Sequence, residues 1–267
     1  MDRRQRSDER DRVPAQADSE LPDGGDWAAL TGGRTRWALA LGGRAGSGAA
    51  LPRPQPSTDG APRPFGGPLA RARYLVAQGR VDEAIELYRG ILTVNPDNLK
   101  ARNQLGVLFD ELKWHDDALE QFQEAERLAP ENVEVLMNCA STLTSLARYA
   151  DADDVVRRAQ RLAPESSEVR LAAGLLLFRK GLYAEAVAGF RDLCARDPGY
   201  GAAHYYLGEA LNRMGVYDEA VEVLQRAAEL LPTDSRVFYT LGHLYDRRER
   251  PADAAEMYRR ARRLQRP

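Results

Sequence analysis

The chain has 267 residues, of which 43% are apolar and 29% charged, with a formal net charge of -2. This composition indicates a soluble globular protein, and the near-neutral charge argues against nucleic acid as an obligatory partner. No apolar run approaches the roughly 20 residues that span a bilayer. The arginines at the N-terminus are not followed by an apolar segment, so we predict no signal peptide and a cytoplasmic location.

The first 64 residues differ in composition from the rest of the chain. They contain no Ile, Phe, Tyr, Asn or Lys and are rich in Gly, Pro, Arg, Asp and Ala. Such a segment has too little apolar surface to offset the entropy lost on ordering, so residues 1–64 are predicted to be a disordered tail. The glycine-rich stretch 38–51 lacks the third glycine and the GK[ST] sequence of phosphate-binding loops.

From residue 65 onward, similar residues recur every 34 positions, and six units follow: 65–98, 99–132, 133–166, 167–200, 201–234 and 235–267. An alanine column consists of Ala84, Ala118, Ala152, Ala186, Ala220 and Ala254. A small-residue column consists of Ala72, Gly106, Ala140, Gly174, Gly208 and Gly242. A bulky column consists of Tyr88, Phe122, Val156, Phe190, Leu224 and Tyr258.

Each unit has the pattern of two helices joined by a tight turn. In residues 201–234, apolar residues recur at helical spacing on both sides of Gly215, which suits a turn. Gly208 and Ala220 have almost no side chain, so we expect the two helices to approach closely where these residues face each other. Pro232 is expected to end the second helix. One hairpin cannot bury its apolar face alone, so the sequence predicts an all-α solenoid of six stacked helix–turn–helix repeats.

The period and the columns resemble the tetratricopeptide repeat, over residues 65–267. Lys113, Ala147 and Glu249 depart from that pattern because they replace the usual turn glycine. The resemblance implies a right-handed solenoid whose first helix in each unit lines a concave face. It also implies recognition of other proteins, through extended or helical peptide segments, rather than catalysis.

Carried over to this sequence, the resemblance predicts a peptide-binding groove. Its N-terminal, amide half (Asn103, Gln104 and Asn138) should hold the backbone of a peptide. Its C-terminal, aromatic half supplies tyrosines, and the stretch from Leu171 to Tyr239 should be the main anchor. Leu171, Leu175 and Phe178 have the alternative of packing between adjacent units. The family's clamp for a C-terminal carboxylate is not expected, because its basic residues are missing. The predicted groove residues are Asn103, Gln104, Asn138, Leu171, Leu175, Phe178, Tyr205, Tyr206, Glu209, Asn212, Tyr239 and His243.

No group of residues in the sequence points to catalysis, a cofactor or a metal. The three histidines, His115, His204 and His243, have no second metal ligand at a typical spacing. Cys139 and Cys194 form no CxxC pattern and are expected to be reduced thiols. The sequence therefore predicts a protein that is not an enzyme.

The leading hypothesis is a non-catalytic interaction scaffold or adaptor, and three alternatives stay open. The segment 247–267 holds eight arginines and three acidic residues, which permits a nucleic-acid-associated role or simply a solvated last helix. A regulatory module for an enzyme on a separate chain would have the same sequence pattern as a scaffold. Self-association through the terminal repeat is the third alternative, because no extra helix follows to cap it.

Overall fold

The computed structural model describes residues 66–265, and the predicted tail 1–64 lies outside this range. Within it the chain is entirely helical apart from turns. The helices are α1 (Pro68–Ala77), α2 (Val81–Val94), α3 (Leu99–Glu111), α4 (His115–Leu128), α5 (Val133–Ser145), α6 (Tyr149–Leu162), α7 (Ser167–Arg179), α8 (Tyr183–Arg196), α9 (Gly201–Arg213), α10 (Tyr217–Leu230), α11 (Ser235–Arg247) and α12 (Pro251–Gln265).

The helices stack as hairpins into the predicted right-handed α-solenoid. We call the odd-numbered helices the front helices and the even-numbered ones the back helices. Consecutive helices pack against each other along the whole stack. From α3 to α11, neighbouring front helices also contact one another, whereas neighbouring back helices between residues 66 and 265 make no comparable contact. The stack therefore curves with the front helices on its inner face.

Local sequence signals set the ends of the front helices. The side chain of Asn98 accepts a hydrogen bond from the Ala101 backbone N–H at 3.0 Å, and Asn132 caps α5 in the same way. Ser166 and Asp234 cap α7 and α11. Each cap satisfies a backbone donor that the first turn of a helix leaves free. The back helix α10 ends at Leu230, two residues before Pro232, as predicted.

The turn inside each hairpin contains one residue with positive φ. In three units this residue is glycine, with φ of 71° at Gly79 and 77° at both Gly181 and Gly215. The other three units place Lys113, Ala147 and Glu249 in the same conformation, with φ between 56° and 64°. Because a side chain in this region costs roughly 1–2 kcal/mol, the three departures from the repeat pattern are sites of backbone strain.

The small-residue column makes room for the bulky column of the paired helix. A Cβ atom placed on Gly208 would lie 2.4 Å from Cγ of Leu224, and one on Gly174 would lie 2.4 Å from Cε1 of Phe190. The three atoms nearest to a Cβ on Gly208 all belong to Leu224, so this large side chain fills the space that the glycine leaves. Close helix approach in this fold thus depends on pairing a glycine with a large side chain.

The buried core divides at α7, the front helix of the fourth unit. Val169 and Leu176 pack with the core of the preceding helices, from α1 to α6. Leu171 and Leu175, on the other side of α7, pack with the core of α8 to α12. One helix therefore connects the two halves of the stack.

Candidate functional site

The predicted groove residues all lie on front helices, α3, α5, α7, α9 and α11. These helices form the inner face of the curve, so the candidate site is an open surface rather than an enclosed cavity. Some of these side chains are buried in contacts within the protein, and others are exposed to solvent. Which of the two applies depends on the position of the helix along the stack.

In the amide half, the asparagines bond to one another. Asn138 Nδ2 donates to Asn103 Oδ1 at 2.9 Å, and Asn103 Nδ2 donates to Glu134 Oε1 at 2.8 Å. Both asparagines are only 8% exposed. Gln104 turns toward the preceding unit and accepts a hydrogen bond from the Tyr88 hydroxyl at 3.1 Å. These amides hold the front helices together, and little of their hydrogen-bonding capacity faces solvent.

In the middle of the face, the leucines on α7 belong to the core. Leu171 is 5% exposed and Leu175 is 3% exposed, so the packing alternative describes them. The Phe178 ring is partly buried and meets the Tyr183 ring edge-on, with ring centroids 5.3 Å apart. This part of the face offers a ligand the partly buried Phe178 but almost no leucine surface.

Tyr205 and Tyr206 begin the aromatic half. Their rings meet edge to face at 5.0 Å, and Tyr206 also stacks on Phe190 of the back helix α8 at 6.0 Å. The guanidinium of Arg236 lies over the Tyr205 ring, 5.3 Å from its centroid. Burial raises the pKa of both tyrosine hydroxyls, so these side chains stay neutral at physiological pH.

Glu209 and Asn212 follow on the same face of α9. The Glu209 carboxylate lies near the Thr240 hydroxyl, and its partial burial raises the pKa of the carboxyl. Asn212 Oδ1 is buried and has no hydrogen-bond partner. Glu209 and Asn212 therefore each place an acceptor oxygen on this part of α9.

Tyr239 and His243 form an exposed aromatic cluster with Tyr258 of α12. Ring centroids lie 4.6 Å apart for Tyr239 and His243, and 5.6 Å apart for Tyr239 and Tyr258. The Tyr258 hydroxyl donates to Asp246 Oδ2 at 2.7 Å. Tyr239 is 47% exposed although its ring is fixed by these neighbours, which is the state expected of a preformed contact surface.

Sequence reasoning missed three members of the aromatic half, Arg236, Thr240 and Tyr258. Tyr258 was assigned only to the bulky packing column, which it does occupy above Gly242. Arg236 and Thr240 are on the front helix α11, one and five residues after its first residue. Arg236 lies three residues before Tyr239 and four before Thr240, and these helical spacings were the available signal.

Two features of residues 66–265 resemble parts of reactive centres, a histidine–carboxylate contact and two cysteines. His115 Nδ1 lies 2.9 Å from Asp110 Oδ1, and the Thr142 hydroxyl donates a hydrogen bond to the same carboxylate oxygen. Burial raises the pKa of Cys139 to about 12 and that of Cys194 to about 11. Both therefore remain protonated thiols, poor nucleophiles at neutral pH.

Residues 66–265 contain no group of three or more His, Cys, Asp and Glu side chains placed to hold a metal ion. None of the helices in this part of the chain combines the length and apolarity needed to cross a membrane.

Two tetratricopeptide repeat models match the sequence, one over residues 69–133 and 140–201 and the other over residues 199–266. No curated protein matches it.

Among solved structures, a tetratricopeptide repeat protein from Parabacteroides merdae is 18% identical, with a TM-score of 0.67 over 74% of this chain and 78% of that one. A thermophilic tetratricopeptide repeat protein of Thermus thermophilus is 24% identical, with a TM-score of 0.58 over 66% of this chain and 96% of that one. At these identities the structures show a shared fold. Together with the repeat models, which cover most of the described helices, they establish that this chain belongs to the tetratricopeptide repeat family.

Proposed function

We propose that this protein is a non-catalytic scaffold or adaptor that binds peptide segments of partner proteins along its inner face. The proposal rests on one observation above all, the exposed and ordered aromatic cluster of Tyr239, His243 and Tyr258. Rigid tyrosines lose little conformational entropy on binding and offer both apolar area and a hydroxyl, which makes them frequent binding hot spots.

The open shape of the inner face supports a protein partner. It runs across successive front helices, so an extended or helical peptide can contact several units at once. The residues that vary between units lie on this face, whereas the packing columns repeat. A single peptide motif bound in this way is expected to have about micromolar affinity, near −8 kcal/mol.

Photo-crosslinking in the cells that make this protein tests the proposal. A photoreactive phenylalanine analogue replaces Tyr239 in one variant and Trp114 in a matched control. Both positions are 47% exposed, but Trp114 lies in the turn between α3 and α4, next to Phe109. We expect the residue-239 probe to capture peptides of a small set of proteins that the residue-114 probe does not. Identical sets, or no adduct at residue 239, would contradict the proposal.

The nucleic-acid alternative has less support, because several arginines of α12 and of the turn before it pair with acidic side chains on the protein surface. Arg259 pairs with Glu256 at 2.6 Å, and Arg250 pairs with Asp253 at 2.7 Å. The guanidinium of Arg260 lies 4.0 Å from the centroid of the Phe238 ring. A basic surface that binds phosphates would instead leave such groups free.

A further inference from the structure

We propose that the inner face of α9 and α11 binds a basic side chain, lysine or arginine, of the partner peptide against Glu209. This inference deepens the proposed function and depends on it. It names the chemistry of one ligand side chain and the residue that receives it.

The Glu209 carboxylate is partly withdrawn from water without an ionic partner. Glu209 forms no ion pair with any residue between 66 and 265, and the Thr240 hydroxyl is a polar neighbour of its carboxylate. Burial is the largest influence on this carboxyl and raises its pKa. A desolvated charge is costly until an opposite charge or several donors reach it. A cation bound beside Glu209 would therefore offset the desolvation cost of the carboxylate.

The cations nearest to Glu209 act on it at a distance or are engaged elsewhere. Arg213, His243 and Arg236 each lower the pKa of Glu209 electrostatically, but less than burial raises it. Arg236 is held by Asp234, with Nε 3.0 Å from Asp234 Oδ1. None of these three groups forms an ion pair with the Glu209 carboxylate.

A second acceptor lies one helical turn further along the same face. Asn212 is three residues after Glu209, and its Oδ1 atom is buried with no hydrogen-bond partner. A buried acceptor without a donor is unfavourable and calls for a ligand that donates. An ammonium has three donors and a guanidinium five, so either one can serve a carboxylate and an amide oxygen together.

The aromatic rings beside Glu209 suit a cation as well. Tyr205 already carries the guanidinium of Arg236 over its ring, at 5.3 Å from the centroid, which shows that this surface accommodates a cation–π contact. Tyr239 offers an exposed ring on the next front helix. A ligand carboxylate would be repelled by Glu209, and a neutral amide would leave its charge unpaired. A basic side chain satisfies both the charge and the rings.

Peptide selection against the full-length protein tests this inference. Short random peptides displayed on phage are selected on the wild-type protein, and the winners are resynthesised with lysine replaced by norleucine or arginine by citrulline. We expect enrichment of one basic position and at least a tenfold loss of affinity when it is neutralised. Glu209→Gln should lower affinity for the original peptide to the same extent. In that variant, neutralising the peptide should have almost no further effect.

The control variant is Glu222→Gln, which removes the same charge from the exposed side of α10 and should leave affinity unchanged. Thermal melting of Glu209→Gln checks that this variant remains folded.

Selected peptides without a basic position, or equal binding by wild type and Glu209→Gln, would overturn the inference while leaving peptide binding itself intact. If no peptide binds the inner face, the proposed function fails along with the inference.

Discussion

The two halves of the inner face use equivalent helix surfaces in different ways. On α3 and α5, Asn103 and Asn138 are buried in a hydrogen-bonded chain that ends at Glu134. On α9 and α11, Tyr239 is 47% exposed and the Glu209 carboxylate has no ion-pair partner among residues 66–265. Residues of the first kind stabilise the stacking of units, and we propose that those of the second kind contact a ligand.

The difference shows that residue type alone does not define a binding surface. Asparagine is a good ligand for a peptide backbone, but the donors of Asn103 and Asn138 are used within the protein. The N-terminal half also contains a buried polar atom without a hydrogen-bond partner among the described residues, the Ser141 hydroxyl oxygen. The C-terminal half differs because it combines such an orphan, Asn212 Oδ1, with a desolvated charge and exposed rings. That combination is the reason why we propose ligand binding at the second half.

The largest expected effect is on binding, from Tyr239→Ala. This change removes an exposed ring whose neighbours hold it in place, so the affinity for a selected peptide should fall by about 2–4 kcal/mol, the loss typical of a hot spot. Fluorescence polarisation with the labelled peptide measures it. Trp114→Ala removes an equally exposed ring outside the inner face and should leave affinity unaltered. Equal affinities for Tyr239→Ala and wild type would show that the aromatic half is not the anchor.

A substitution in the amide half should lower stability and leave peptide binding unchanged. Asn103→Ala leaves the Asn138 amide and Glu134 without their partner, which should lower the free energy of unfolding by about 1–2 kcal/mol. Urea denaturation followed by circular dichroism measures the loss. Affinity for the selected peptide should stay within twofold of wild type. A large loss of binding with unchanged stability would reverse the roles that we assign to the two halves.

The fold was predictable because its determinants repeat. The alanine, small-residue and bulky columns recur in every unit, so six copies of one packing pattern identify the hairpin, its turn and its stacking. Even the strained turns could be located, since Lys113, Ala147 and Glu249 stand where other units have glycine. What the pattern did not resolve is which small residue meets which large one, as at Gly208 and Leu224.

The division of the inner face was not predictable to the same extent. Whether Asn103 is free depends on Glu134 and Asn138, which are 31 and 35 positions away. Tyr206 shares a front helix with Tyr205 but packs on Phe190 of the preceding unit. Such outcomes depend on single contacts between units, and these do not repeat along the chain. The repeat pattern therefore indicates which residues lie on the inner face. Contacts between units decide which of them are buried and which are exposed.

Glu209→Gln should make the free protein more stable. The pKa of Glu209 is raised in the folded state by burial, so its contribution to stability is greatest at low pH and is lost as pH rises through the folded pKa. At pH 7 the substitution should add about 0.5–2 kcal/mol, the range typical of an improved charge.

The gain should shrink as the pH falls toward about 4.3, the usual pKa of glutamate. Chemical denaturation across this pH range measures it, with Glu222→Gln as the control for loss of an exposed charge. A variant less stable than wild type at pH 7 would mean that Glu209 is a structural residue, like the asparagines of the other half.

The smallest expected effect concerns the turn between α5 and α6, in the half that we regard as structural. Ala147 has a φ of 56°, and glycine adopts this conformation without the Cβ clash, although it has more entropy to lose on folding. Ala147→Gly should therefore raise the free energy of unfolding by about 0.5–1 kcal/mol. The same substitution at the exposed helical residue Ala150 should lower it by about 1 kcal/mol. Opposite signs for the two variants in urea denaturation would show that the turn is strained and that the strain can be removed without touching the inner face. Equal losses would mean that the backbone at Ala147 is relaxed.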